Sequence, residues 1–481
     1  MSGRSLVRRA VTPVVLLLVA SLSSQASAVG SPAKSPPNAD ASAMSGNEAE
    51  DAIAVNPTNP QNVVAMSVLP DVVSGIFEGV SFDGGQTWTR QVIGTGGDLG
   101  EICCDQQLAW DRFGNLWMVY LLNTDNNVPI AVSTDGGLTF TKVTEIVPTK
   151  VKGVGNPDHS GAKGLRRAPK GSASADQPSI SVGPNSVWVS YTSYPQTVVQ
   201  ASGAPVTGLG QFGSFSAPET VPTANGRGNY GDTAVGPNGE VMVIYQDATN
   251  NQGGAHIYTA VDPDGLGGEG FRTPVFLART RVGGFDYLPV QPHRSVDAEA
   301  NLAWDRSGGL HDGRVYAIWT QEVKNESDNM DILLQFSDDA GATWSPAARL
   351  NDDATTNSQV NPAIALDQTS GAVAASWYDA RNDLGQGGAG DTDGIPNDDV
   401  QIWATFSTDG GVSFAPNFQV SAGTSNATDA ESFFDFGDYT HAAFQSGLFR
   451  PAWSDNSNST GDNPDGTLHQ LDLYTATIAI P

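Results

Sequence analysis

The chain has 481 residues, with 52 acidic against 24 basic side chains and a formal net charge of −28. A surface of that sign repels nucleic acid and anionic lipid, so neither is expected as a partner. The 54 glycines and few lysines suit an all-β chain with many turns.

In chain order, the first element is an export signal over residues 1–28. Arg4, Arg8 and Arg9 form a basic start, Val14 to Ala20 is apolar, and Ala26-Ser27-Ala28 is a cleavage site. The mature protein is expected outside the cytoplasm, secreted or periplasmic. No later stretch is apolar enough to insert into a bilayer. Residues 29–47 are rich in Pro, Ser and Ala and read as a flexible leader. Residues 48–481 read as a single repeat domain.

One octapeptide recurs four times: SFDGGQTW at 81–88, STDGGLTF at 133–140, SDDAGATW at 337–344 and STDGGVSF at 407–414. Internal repetition decides the fold class before anything else. The Asp accepts hydrogen bonds from its own turn, the Gly supplies a left-handed position, and the aromatic residue opens the next strand. The motif resembles the Asp-box (BNR) repeat of sialidases and related β-propellers. The resemblance implies a β-propeller of four-stranded antiparallel blades. It also places the motif on an outer hairpin, so Asp83, Asp135, Asp339 and Asp409 are expected to be structural.

A second repeat underlies the first. Units open at Asp51, Asp105, Asp176, Gly231, Asp297, Asn361 and Gly437, each followed by a more apolar strand such as NLWMVYL or RVYAIWT. That makes seven blades where the sialidase resemblance implies six. The last unit lacks room for a fourth strand, so the mature N-terminus is expected to supply it and close the ring. Adjacent Cys103 and Cys104 are expected to form a vicinal disulfide outside the cytoplasm; two free or intermolecular thiols are the alternative. Residues 150–175 form a basic insertion, read either as a solvated loop or as a flap over the pocket.

The turns entering the first strands carry Asp51, Asp105, Asp176, Asp232, Asp297 and Asp438, so acidic groups are expected to converge on the channel mouth. Close carboxylates shift one another's pKa and can act as acid and base on a glycosidic bond. Alternatively each Asp caps its own turn. The sialidase resemblance implies a Tyr nucleophile activated by Glu and an arginine triad. Tyr439 with Glu431, and Arg227, Arg294 and Arg381, are the nominees, beside Asp105 and Asp438. The family's F-R-I-P arginine motif is absent, since no Arg lies between Arg9 and Arg90. Tyr439 with His441 also fits the base and acid of a polysaccharide lyase. Asp391, Asp393, Asn397 and Asp399 alternate around Gly394 as oxygen ligands for calcium. No organic cofactor is expected.

Three functions follow: a monomeric glycan-acting hydrolase, a calcium-stabilised propeller that binds a glycan or another surface partner without catalysis, or a polysaccharide lyase.

Overall fold

The computed structural model describes Met1 and residues 36–150, 173–247 and 252–481. The export signal and most of the basic insertion lie outside the described residues. Seven antiparallel blades follow one another around a ring. Their innermost strands are Ala49–Val55, Ile102–Trp110, Ser174–Val182, Asn229–Val235, Asn301–Trp304, Gln359–Leu366 and Ala442–Gln445. Each blade runs outward by hairpins from its innermost strand. Second strands such as Val63–Val68 and Leu116–Leu122 are buried along their whole length, which explains their near-continuous apolar sequence. A fourth strand such as Thr89–Ile93 is exposed and polar.

The core is not central. Seven apolar clusters each span the junction of neighbouring blades. Trp117 and Val119 of blade two, for example, pack with Val187 and Val189 of blade three. Each blade thus buries its faces only against its neighbours, which is why a repeat of this kind needs a closed ring.

Closure follows the sequence expectation. Strand Asn38–Asp40 pairs with Asp472–Ala476, with Ala39 opposite Thr475, and completes blade seven. The expected flexible leader therefore needs correction over its described part. Residues 38–40 are a strand, and Ala41 and Asn47 are buried, because the last blade offers an unpaired edge that this segment fills.

The four octapeptides form one turn each, between the third and fourth strands, at the end of the blades opposite the channel entrance. Ser81 Oγ donates to Asp83 Oδ1 at 2.8 Å, and Asp83 accepts Thr87 N at 2.9 Å and Thr87 Oγ1 at 2.6 Å. Asp135, Asp339 and Asp409 repeat the pattern. These carboxylates are consumed by their own turns. Cys103 and Cys104 form the vicinal disulfide.

Candidate functional site at the channel mouth

Every blade enters its innermost strand through the same backbone irregularity. One residue per blade has a left-handed φ: Glu50 (59°), Asp105 (54°), Gln177 (44°), Tyr230 (52°), Glu299 (39°), Asn361 (50°) and Gly437 (90°). In blades one, two, three, four and six the pairing register slips at this point. Such a bulge re-aims side chains away from the sheet. At the seventh position only glycine fits, since a Cβ on Gly437 would lie 2.4 Å from Glu50 Cγ.

Three of the sequence nominees meet here, Asp105, Asp438 and Arg294. Asp105 of blade two accepts Gln177 N at 2.9 Å, and Gln177 Nε2 lies 3.5 Å from Asp438 Oδ2 of blade seven. One glutamine thus bridges both carboxyls. The bulge also brings in Glu50, Asp176, Asp297 and Glu299, all of which act electrostatically on this group.

Among the described residues, Arg294 is the cation that answers them. Arg294 stands on a hairpin, Asp286–Leu288 with Gln291–Val296, inserted between blades four and five. Its Nε donates to Asp438 Oδ1 at 2.6 Å, and its Nη2 donates to Asp438 Oδ2 and, at 3.1 Å, to Glu50 Oε1. The guanidinium also lies 4.9 Å over the ring of Phe434. Asp435, fully buried, fixes the hairpin by accepting the backbone N–H groups of His293 and Arg294, both at 2.7 Å. It also holds His293 Nδ1 at 3.0 Å, leaving the half-exposed imidazole with Nε2 at the rim.

Burial dominates the electrostatics. It pushes Asp105 up to about 6 and Asp51 and Asp297 up to about 7. It raises Glu50 and Asp176 well above the carboxylate range, against the pull of Arg294, and Glu299 likewise, with Asp297 adding to the rise. Native carboxyls therefore keep protons that the unfolded chain releases near pH 4, so stability drains away as pH rises toward the folded values. In the presence of a chelator, the midpoint of urea unfolding is expected to be higher at pH 5 than at pH 8. Equal midpoints would mean that these carboxyls are solvated.

The other nominees stand elsewhere or do other work. Tyr439 adjoins the group but is buried, and burial with the surrounding carboxyls drives its phenol well above its ordinary value. That is the reverse of an activated nucleophile. Glu431 is exposed on a left-handed turn and, among the described residues, makes no hydrogen bond or ion pair with Tyr439. His441 is held by Asp51 O at 3.0 Å and packs edge-on against Tyr439, and burial lowers its pKa. Arg381 is locked by Asp379 at 2.7 Å and Asp352 at 2.8 Å, and lies 4.1 Å over Trp403, within blade six. Arg227 is exposed on the turn that precedes blade four.

The acidic loop of blade six gathers more tightly than its spacing implied. Carboxylate oxygens of Asp383, Asp391 and Asp399 lie within 4.8 Å of one another, as do those of Asp393, Asp398 and Asp399. The Asn397 amide oxygen accepts Ser358 N at 2.7 Å and its amide nitrogen donates to Asp328 O at 3.0 Å. Asp398 Oδ1 is buried with no hydrogen-bond partner.

No family model and no curated protein sequence matches the chain. Solved structures do. It is similar to an α-L-arabinanase of Penicillium chrysogenum complexed with arabinobiose, at 13% identity and a TM-score of 0.44, over 78% of this chain and 96% of that one. It is also similar to a protein of unknown function from Dyadobacter fermentans, at 13% identity and a TM-score of 0.49, over 93% and 99%. A third is the polysaccharide lyase Uly1, at 12% identity and a TM-score of 0.47, over 90% of each chain.

Proposed function

We propose that the protein is an exported glycoside hydrolase whose acid and carboxylate are Asp105 and Asp438. The observation that carries this reading is the bridge through Gln177, whose backbone N–H meets a carboxyl of blade two and whose side-chain amide meets a carboxyl of blade seven held by an arginine. Their surroundings differ as glycoside hydrolysis requires. Asp105 is raised by burial to about 6 and can hold a proton near neutrality. Asp438 is clamped by the Arg294 fork. Asp105 gives its proton to the leaving glycosidic oxygen as the C–O bond breaks, and Asp438 takes a proton from the attacking water.

The same clamp speaks to the substrate. Arg294 already spans Asp438 and Glu50, and Arg381 is occupied within its blade, so neither offers a fork to a sugar carboxylate. A neutral glycan fits this mouth better than a sialoside. The test is a panel of fluorogenic neutral glycosides, a sialoside and polysaccharides. Release from a neutral substrate that disappears in Asp438→Asn supports the reading. Glycan binding without turnover points instead to a non-catalytic binding propeller.

One observation favours a second reading. The His293–Asp435 pair presents an oriented imidazole at the rim, suited to proton transfer in a polysaccharide lyase. Unsaturated uronate ends, visible by ultraviolet absorption and lost in His293→Ala, would identify that activity.

The blade-six loop is read as a calcium site, with Asp383, Asp391 and Asp399, or Asp393, Asp398 and Asp399, as hard oxygen donors. Calcium at a hundred times its Kd is expected to add about 2.7 kcal/mol of stability through this loop. The gain should shrink in an Asp391→Asn/Asp399→Asn variant; an unchanged gain would remove the loop from consideration.

A further inference from the structure

One position in the second strand of each blade packs into the junction with the next blade. Six blades fill it with apolar side chains: Val64, Trp117, Trp188, Met242, Tyr316 and Ala374. Their backbone partners in the innermost strands are alanines, or Ser181 in blade three, so the positions correspond. Blade seven places Arg450 there, opposite Ala443. This arginine is 1% exposed.

Its surroundings supply no opposite charge. Among the described residues, no carboxylate forms an ion pair with Arg450 and no aromatic ring lies against its guanidinium. Its one hydrogen bond runs from Nε to Thr477 Oγ1 at 3.2 Å, and Nη1 is buried with no partner. Arg314, at the junction of blades five and six, shows how this fold satisfies a buried guanidinium. Asp338 accepts its Nε at 2.7 Å and its Nη2 at 2.9 Å, Gly410 O accepts its Nη1, and the ring of Phe336 lies 3.9 Å away. Burial lowers the pKa of Arg450 with no acid acting against it. Arg294 and Arg381 are buried too, yet the carboxylates facing them raise theirs.

A guanidinium keeps its charge, and burying a charge without a counter-charge is strongly unfavourable. The spot borders solvent. Thr477, bonded to Nε, is exposed, and so is Gln61. Gly84, in the octapeptide turn of blade one, lies between Gln61 and the guanidinium. A Cβ on it would stand 3.1 Å from Gln61 Oε1 and 3.5 Å from Arg450 Nη2.

We propose that Arg450, with Thr477 and Gln61 at the rim, binds one oxyanion, a carboxylate or sulfate group, where blade seven meets blade one. The paired N–H groups of a guanidinium match two oxygens of such a group, which is the partner that Arg314 finds in Asp338. The site lies at the octapeptide end of the ring, opposite the mouth, and does not rest on the chemistry proposed there. The net charge of −28 repels anions at long range, so binding depends on these short contacts.

Equilibrium dialysis of radioactive sulfate, acetate and glucuronate against the full chain tests this. The wild type is expected to bind one oxyanion that Arg450→Met lacks. Arg450→Lys should bind about tenfold more weakly, because an ammonium offers no fork. Without added oxyanion, Arg450→Met should melt no lower than the wild type, since it removes an unpaired buried charge. Sulfate raises the melting temperature of any protein by exclusion, so the excess in the wild type over Arg450→Met is what reports the site. Equal affinity for acetate and glucuronate would identify a free ion as the ligand, and tighter glucuronate an acidic sugar. If Arg450→Met does not fold, the weaker binding of Arg450→Lys carries the test. No oxyanion bound to the wild type would overturn the proposal and leave water as the partner of Nη1. Binding that persists undiminished in Arg450→Met or Arg450→Lys would overturn it too.

Discussion

Arg294→Met is expected to destabilise the fold by about 3 kcal/mol at pH 7, the cost of breaking a buried ion pair from one side. The side chain answers two carboxyls at once, Asp438 and the fully buried Glu50. Removing it leaves Glu50 with no cation and returns Asp438 to the repulsion of Asp105 and its neighbours. Methionine keeps most of the volume and the apolar contact with Phe434, so the loss measures charge rather than packing. The deficit should narrow at pH 5, where protons replace the guanidinium. An Arg294→Met/Glu50→Gln double variant should recover part of it. Urea unfolding of the three proteins at both pH values is the measurement. A change below about 0.5 kcal/mol, the range of ordinary surface substitutions, would show that water screens the mouth.

The second large effect is catalytic. Asp105→Asn and Asp438→Asn are each expected to lower kcat by 10²- to 10⁴-fold on the substrate found by screening, the range for loss of a positioned acid or base. Melting temperature should not fall in Asp105→Asn, because the change removes a carboxyl from a crowded group, whereas Asp438→Asn also takes a partner from Arg294 and should lower it. In the wild type, activity should decline as pH rises through the Asp105 value of about 6, where the acid loses its proton. Glu431→Gln, remote from the mouth contacts, should leave activity intact. Full activity in Asp105→Asn would hand the acid role to another raised carboxyl of the mouth, with Glu299 the first to examine.

The sequence was readable where the determining interactions are local. The octapeptide turn is closed by bonds among Ser81, Asp83, Gly85 and Thr87, so its pattern survives in four copies. The missing strand of blade seven was visible as a shortage of residues after the last unit. The mouth was legible only in part. Aligning the units on their acidic residues mixes positions. Asp105 and Asn361 sit on the bulge, Asp51 and Asp438 one residue after it, Asp176 one before, and Asp232 two after. Counting back from the buried second strands gives the true column, because Ala52, Gln107, Ser179, Asp232, Asn301 and Ala363 each pair two residues beyond the left-handed position. Gly437 was the one visible hint of that conformation. The hairpin bearing His293 and Arg294 carries no repeat pattern, and its role depends on Asp435, which is remote in sequence.

The pairing of Asn38–Asp40 with Asp472–Ala476 also governs how the molecule assembles and fails. Its outermost strand is made by one end of the domain and the rest of that blade by the other, so the ring stays open until Asp472–Ala476 has been made. A partly synthesised chain, or one cut before Asp472, would expose the seam where Ile53, Val63 and Phe77 meet Leu473. That apolar face, flanked by an unpaired strand edge, is a surface for aggregation. The adjacency of the two ends also offers a practical route: joining them and opening a hairpin elsewhere would make a permuted chain whose last blade is continuous. Such a chain should refold faster and aggregate less than the natural order, since the slow long-range closure becomes a local one.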